Sequence, residues 1–257
     1  MKIGVSGKGG VGKTTISSLL ATVLARQGQT VLAVDADPAQ NLGMSLGFPT
    51  DVYESITPVA ELKDLISDRT GTNPKVPTGF FTVNPKVDDI PERYWREHNG
   101  VRLLLIGTIK AAGAGCACPE NTLLKNLMHH LIVERGETVI LDMEAGLEHL
   151  GRGTTGAMDA LLVVVEPSQK SLRLAGQIDR LAAELGIKKV LFVGNKIRDK
   201  SDQAAVAQAV PADRMIGLIG YDEGIRQSDL TGAAAYDSAS PATIQTIQTI
   251  AAKLNEN

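Results

Sequence analysis

Near the start of the chain, Gly7-Lys8-Gly9-Gly10-Val11-Gly12-Lys13-Thr14-Thr15 follows a short apolar run and leads into a helix-period stretch. The segment fits G-x-x-x-x-G-K-[ST], whose glycines let successive backbone N–H groups converge on phosphate oxygens. The N-terminus of the helix behind it adds a favourable dipole. Within this pattern Lys13 is placed to reach the β- and γ-phosphates of a nucleotide, and the Thr14 hydroxyl to ligate Mg²⁺. Two acidic positions follow at the ends of apolar runs: Asp35-Ala36-Asp37-Pro38 closes the run 30–35, and Asp142 closes the run 138–142. A carboxylate beyond the C-terminal end of a parallel strand points into the crevice where such sheets bind ligands. Asp142 is therefore the candidate for holding Mg²⁺ through water. Gly146, in Asp142-Met143-Glu144-Ala145-Gly146, stands where a loop backbone could sense a terminal phosphate.

A second group of reactive residues is the pair Cys116 and Cys118, in the segment GTIKAAGAGCACP. One residue apart, they are poorly placed to bridge to each other, and inert thiols and metal ligands both remain open readings. As ligands they offer two thiolates, half of the tetrahedral set that Zn²⁺ or a similar thiophilic metal prefers. A two-fold axis would supply the other half by bringing the loop against its own copy. His129, His130 and His149 fall nearby in sequence but are not assigned to this site.

The elements that must position these residues read as alternating strands and helices. Strands are expected at 2–6, 30–35, 79–83, 101–106, 138–142, 160–166, 189–194 and 215–220, and helices at 14–27, 120–135, 168–185 and 241–254. Leu161-Leu162-Val163-Val164-Val165 is apolar throughout, as a strand covered on both faces must be. The alternation predicts an α/β fold: a doubly wound, mainly parallel sheet flanked by helices, in a single domain over 1–257. Residues 48–99, richer in Pro, Asp and Thr, read as an irregular insertion with short helices packed on the sheet.

Composition narrows the function classes. At 257 residues, 43% of them hydrophobic, the chain can bury a core without disulfides. Aromatics are only 4%, too few for a single-strand stacking platform, and a net charge of −3 gives little attraction to phosphate backbones. Met1-Lys2 runs directly into Gly-rich, Lys-bearing sequence, and no run approaches the roughly 20 apolar residues of a membrane helix. A cytoplasmic protein with reduced thiols is expected.

Lys8 before Gly9-Gly10 makes the loop read K-G-G-x-G-K-[ST], and the sequence thereby resembles the deviant-Walker P-loop ATPases, the family of MinD, ParA and nitrogenase iron protein. The resemblance implies hydrolysis of ATP to ADP and phosphate with Mg²⁺, in a homodimer formed with nucleotide or metal. It implies that Lys8 contacts phosphates across the dimer, that Asp37 positions or activates the attacking water, and that Asp35 supports Mg²⁺ or the loop. It also implies that Asn195, followed by Lys196 after the strand 189–194, bonds the adenine edge. Many relatives place a proline after the last strand to pack on adenine; here Gly220 stands there, beside Tyr221.

With the cysteine pair and Asp142-Met143-Glu144-Ala145-Gly146-Leu147-Glu148-His149 added, nearly the whole chain resembles the accessory ATPases that insert nickel into carbon monoxide dehydrogenase. That resemblance implies nickel or zinc on Cys116 and Cys118 at the dimer interface, and carbon monoxide dehydrogenase or acetyl-CoA synthase as client. An iron–sulfur reductase takes its cysteines from separated segments, one of them in the switch after Asp142, where this chain has none through residue 150. Membrane-positioning relatives end in a basic amphipathic helix, whereas 241–257 is mostly Ala, Thr, Ile and Gln with one Lys. Neither a membrane nor a nucleic acid is expected as partner.

Overall fold

The computed structural model describes residues 1–72, 80–107, 119–144 and 152–256. The chain opens with β1 (Lys2–Gly7), α1 (Lys13–Arg26) and β2 (Val31–Ala36). Four short helices follow, α2 (Leu42–Ser45), α3 (Thr50–Glu54), α4 (Lys63–Thr70) and α5 (Ile90–Tyr94), then β3 (Arg96–His98) and β4 (Val101–Leu105). Next come α6 (Pro119–His129), β5 (Thr138–Met143), α7 (Arg152–Thr155), β6 (Ala160–Val165), α8 (Gln169–Glu184) and β7 (Val190–Ile197). The chain ends with α9 (Lys200–Ala209), β8 (Met215–Gly220), α10 (Glu223–Thr231), α11 (Ala235–Ser238) and α12 (Pro241–Asn255).

The strands form one sheet in the order β3-β4-β2-β5-β1-β6-β7-β8, parallel throughout except for the β3–β4 pair. Helices cover both faces, and the two-residue period of the strands divides each apolar run between two cores. On β6, Leu161, Val163 and Val165 join the core with α6 and α8, while Ala160, Leu162 and Val164 join the one with α1 and α12. Residues 161–165 are no more than 1% exposed, each contributing about 2 kcal/mol of burial. Such a sheet holds β1, β2 and β5 side by side, with their C-terminal ends at one edge of the molecule.

Between β2 and β4 the chain packs on this sheet through buried Phe48, Val59 and Ile90. The Ala60 N–H donates to Ile106 O at 2.9 Å, tying the segment to the end of β4. The strand expected at 79–83 is corrected: residues 80–83 are not strand, and Phe80 and Val83 are exposed. The edge strand is instead Arg96–His98, polar and mostly exposed, which gives no period-2 apolar signal. The helix expected at 120–135 changes character after His129, where residues His130–Glu134 form a π-helical turn. Among the described residues, no helix is long and apolar enough to cross a membrane.

Candidate functional site

The glycine-rich loop leaves β1 at Gly7 and enters α1 at Lys13. Gly12 caps the helix at φ 96°, a left-handed backbone that L side chains rarely adopt. A Cβ there would also collide with the Asn195 amide, which donates from Nδ2 to Val11 O at 2.8 Å. Lys196, itself at φ 59°, donates from Nζ to Gly10 O at 2.6 Å. The end of β7 thus braces the loop. Asn195 and Lys196 lie inside this strand, not after it, because an irregularity in the β7–β8 pairing between Gly194 and Ile197 carries the strand onward.

Behind the loop the acids gather. The Lys13 ammonium, 7% exposed, lies 3.8 Å from Asp37 Oδ2. Asp142, wholly buried, accepts from Thr14 Oγ1 at 2.7 Å and from Ser17 Oγ at 3.0 Å. Asp35 is its register neighbour across the β2–β5 pair and is also wholly buried. It accepts from the Leu42 N–H at 3.0 Å and the Asp37 N–H at 3.2 Å. Burial, and next the charge of Asp142, raises the Asp35 carboxyl to about 7. Burial raises Asp142 to about 6, against the pull of the Thr14 and Ser17 hydroxyls and of Lys13. Added positive charge would relieve this crowding. The Thr14 hydroxyl and the Asp142 carboxylate are hard oxygen donors of the kind Mg²⁺ takes. Among the described residues no group of three or more His, Cys, Asp or Glu is placed as a closed metal cage.

A cavity of about 770 Å³ runs from Gly9, Lys13 and Thr14 past Asp37 to Tyr221 and Arg226 on the α10 side, within the usual size range of small-molecule sites. Gly220 lines its wall and leaves it open, and the Tyr221 ring carries the Arg198 guanidinium 5.4 Å from its centroid. Asn195 and Lys196 line the same cavity while holding the loop. Lys8 is turned elsewhere: its Nζ lies 3.5 Å from Glu166 Oε1, just beyond β6. Lys13, Thr14, Thr15, Asp35, Asp37 and Asp142 are therefore brought together with the loop backbone, and Lys8 stands apart at its rim. Cys116, Cys118, Gly146 and His149 lie outside the described residues.

Sequence reasoning missed Ser17, the second hydroxyl on Asp142, although its place one helical turn after Thr14 on the same face was a usable signal. It missed α10, whose N-cap Asp222 accepts from the Gly224 and Ile225 N–H groups. Glu166, the partner of Lys8, had no local signal, because the two are distant in the chain.

The model of the CobQ/CobB/MinD/ParA nucleotide binding domain matches residues 3–234. The carbon monoxide dehydrogenase accessory protein CooC of Rhodospirillum rubrum is 43% identical over 237 residues, 92% of this chain and 90% of that protein. An ATP-binding protein of Methanocaldococcus jannaschii is 40% identical over 235 residues, 90% of each chain. Among solved structures, Pyrococcus horikoshii MinD complexed with Mg-ADP superimposes with a TM-score of 0.68 at 20% identity, covering 99% of this chain and 95% of that one. A ParA family ATPase from Chlorobium tepidum gives 0.69 at 20% identity, covering 99% and 98%. At such identities the structural likeness is one of fold. The sequence matches go further, and the chain belongs to the CobQ/CobB/MinD/ParA family of nucleotide-binding proteins.

Proposed function

We propose that this protein is a Mg²⁺-dependent ATPase that serves as an accessory factor in the maturation of carbon monoxide dehydrogenase or acetyl-CoA synthase. The hydrolytic part rests on the convergence of Lys13, Thr14, Asp37 and Asp142 at one end of a nucleotide-sized cavity. Lys13 neutralises the terminal phosphates, and the loop backbone from Gly9 to Thr15 holds them. Asp37, beside Lys13, orients the attacking water. Thr14 and Asp142 hold Mg²⁺, which offsets phosphate charge when bound. Asp35 fixes the Asp37 loop through two N–H groups. The adenine end takes Tyr221, Arg226 and the Asn195 region.

The client rests on the 43% identity to CooC across 92% of the chain. In this reading the cargo is nickel, with zinc as an alternative occupant, held by Cys116 and Cys118 from two subunits. Nucleotide binding closes a homodimer through Lys8, Gly146 senses the terminal phosphate, and hydrolysis releases the metal to the client.

The test is phosphate release from Mg-ATP, with molecular mass and metal content determined with and without a non-hydrolysable analogue. Hydrolysis, dimerisation with the analogue and one Ni²⁺ or Zn²⁺ per dimer are expected. A monomer that hydrolyses nothing and holds no metal overturns the proposal.

A further inference from the structure

The loop 37–42 carries Asp37 and is held at its ends by Asp35. Between those anchors it forms a turn, in which the Gln40 N–H donates to Asp37 O at 3.1 Å and the Ala39 N–H to Asp37 Oδ1 at 2.9 Å. Gln40 sits at φ 44°, a left-handed conformation that persists in a side-chain-bearing residue only when its surroundings impose it. From α3, the Tyr53 hydroxyl donates to Gln40 O. The Tyr53 ring lies against Gly43, where any Cβ would collide with it, so packing fixes the phenol's place. Burial, and then the nearby Asp35 charge, hold the phenol above its usual range and keep it a donor.

We infer that Tyr53 is a positioning residue for hydrolysis: by holding the Gln40 carbonyl it sets the turn that presents the Asp37 carboxylate to Lys13. The inference rests on the hydrolytic reading above. One Asp37 oxygen is engaged inside the turn by the Ala39 N–H, and the other faces Lys13 at 3.8 Å. A turn that opens at Gln40 therefore releases the carboxylate from its place. Tyr53 does not line the cavity, whereas Asp37 does, so the Tyr53 hydroxyl acts through Asp37, and its loss should tell on turnover as the loss of Asp37 does.

Tyr53→Phe in the full chain keeps the ring and removes only the donor. At saturating Mg-ATP its kcat should fall about tenfold, with KM and the affinity for a fluorescent ADP analogue unchanged. In the nucleotide-free protein, amide exchange at Gln40 and Leu42 should quicken about fivefold. In an Asp37→Ala background the same change should cost no further turnover, because the two residues act through one carboxylate. A Tyr53→Phe protein with wild-type kcat and wild-type exchange overturns the inference, as does an equal further loss in the Asp37→Ala background. Wild-type protein that hydrolyses nothing would sink the hydrolytic reading instead, and the exchange rates would then decide whether Tyr53 holds the turn.

Discussion

Thr14 Oγ1 donates to Asp142 Oδ2 at 2.7 Å, so the first turn of α1 and the end of β5 are joined by one short contact. Ser17, one turn along the same helix, donates to the other oxygen of that carboxylate at 3.0 Å. The carboxylate is thereby oriented before any cation arrives. In the proposed reading Thr14 and Asp142 would hold Mg²⁺, Asp142 through water, and the Ser17 contact would keep the carboxylate in place. In the proposed reaction such local order matters, because preorganised groups need little rearrangement as charge develops on the phosphates.

Lys13 and Asp37 lie 3.8 Å apart yet should fail in different ways. Lys13→Ala removes the cation proposed to hold the terminal phosphates and should abolish measurable nucleotide binding. Asp37→Ala should keep binding near wild type and lower turnover by about 100-fold or more, the usual range for a water-orienting base. Nucleotide titration and steady-state phosphate release separate the two. Full activity in either variant contradicts the assignment.

The second lysine should act between subunits. Lys8 is paired with Glu166 at 3.5 Å, both side chains partly exposed, so the pair is weak and exchangeable. Lys8→Ala should bind ATP as a monomer and hydrolyse it slowly. Mixed with Lys13→Ala, which keeps Lys8, it should regain association if Lys8 serves the neighbour's nucleotide. A Lys8→Ala protein that dimerises normally with ATP, as judged by light scattering, rules out the role.

Much of this architecture was legible because burial on both faces forces unbroken apolar strands such as 160–165. The glycine-rich loop was legible in part because Gly7 and Gly12 answer a steric demand, a Cβ at the first meeting Val164 O and one at the second the Asn195 amide. Arg96–His98 was not, since its pairing with β4 uses backbone groups and its side chains stay largely in solvent. Residues 80–83 misled in the opposite direction, with Phe80 and Val83 favouring a strand where the described residues form none. The extension of β7 through Lys196 depends on a bulge that no local pattern announces. Lys8 and Glu166 lie on distant segments, and only the fold brings them together.

The buried acids predict an unusual pH dependence for the nucleotide-free protein. Asp35 titrates at about 7 in the fold against 3.8 unfolded, so between those values the native state holds the extra proton. Stability then falls as pH rises through that window and levels off above it, by up to a few kcal/mol. Asp142, at about 6, adds to the same slope. Thermal melts from pH 5 to pH 8 should show a declining midpoint in wild type and a flatter profile in Asp35→Asn. Equal slopes in both proteins would exclude Asp35 as the source.

The last prediction concerns the cysteines. Cys116 and Cys118 from two subunits should hold one Ni²⁺ or Zn²⁺ per dimer, Zn²⁺ tetrahedrally and Ni²⁺ with a square-planar option. Thiolates outcompete oxygen ligands for such metals, and the Gly and Ala residues around the pair let two copies of the loop approach closely. The ligands must deprotonate, so affinity should fall as pH drops. Affinity should also change with nucleotide: α6 starts at Pro119, directly after the pair, and leads through the π-helical turn His130–Glu134 into β5 and Asp142. Coupling of this kind is reciprocal, so metal should shift ATP affinity by the same factor that ATP shifts metal affinity. Cys116→Ser, Cys118→Ser protein should lose the metal while keeping its melting temperature and its nucleotide affinity as a monomer. Metal analysis of the purified double variant that still finds one ion per dimer at wild-type affinity would remove the cysteine site and, with it, the main chemical support for a metal-delivering ATPase.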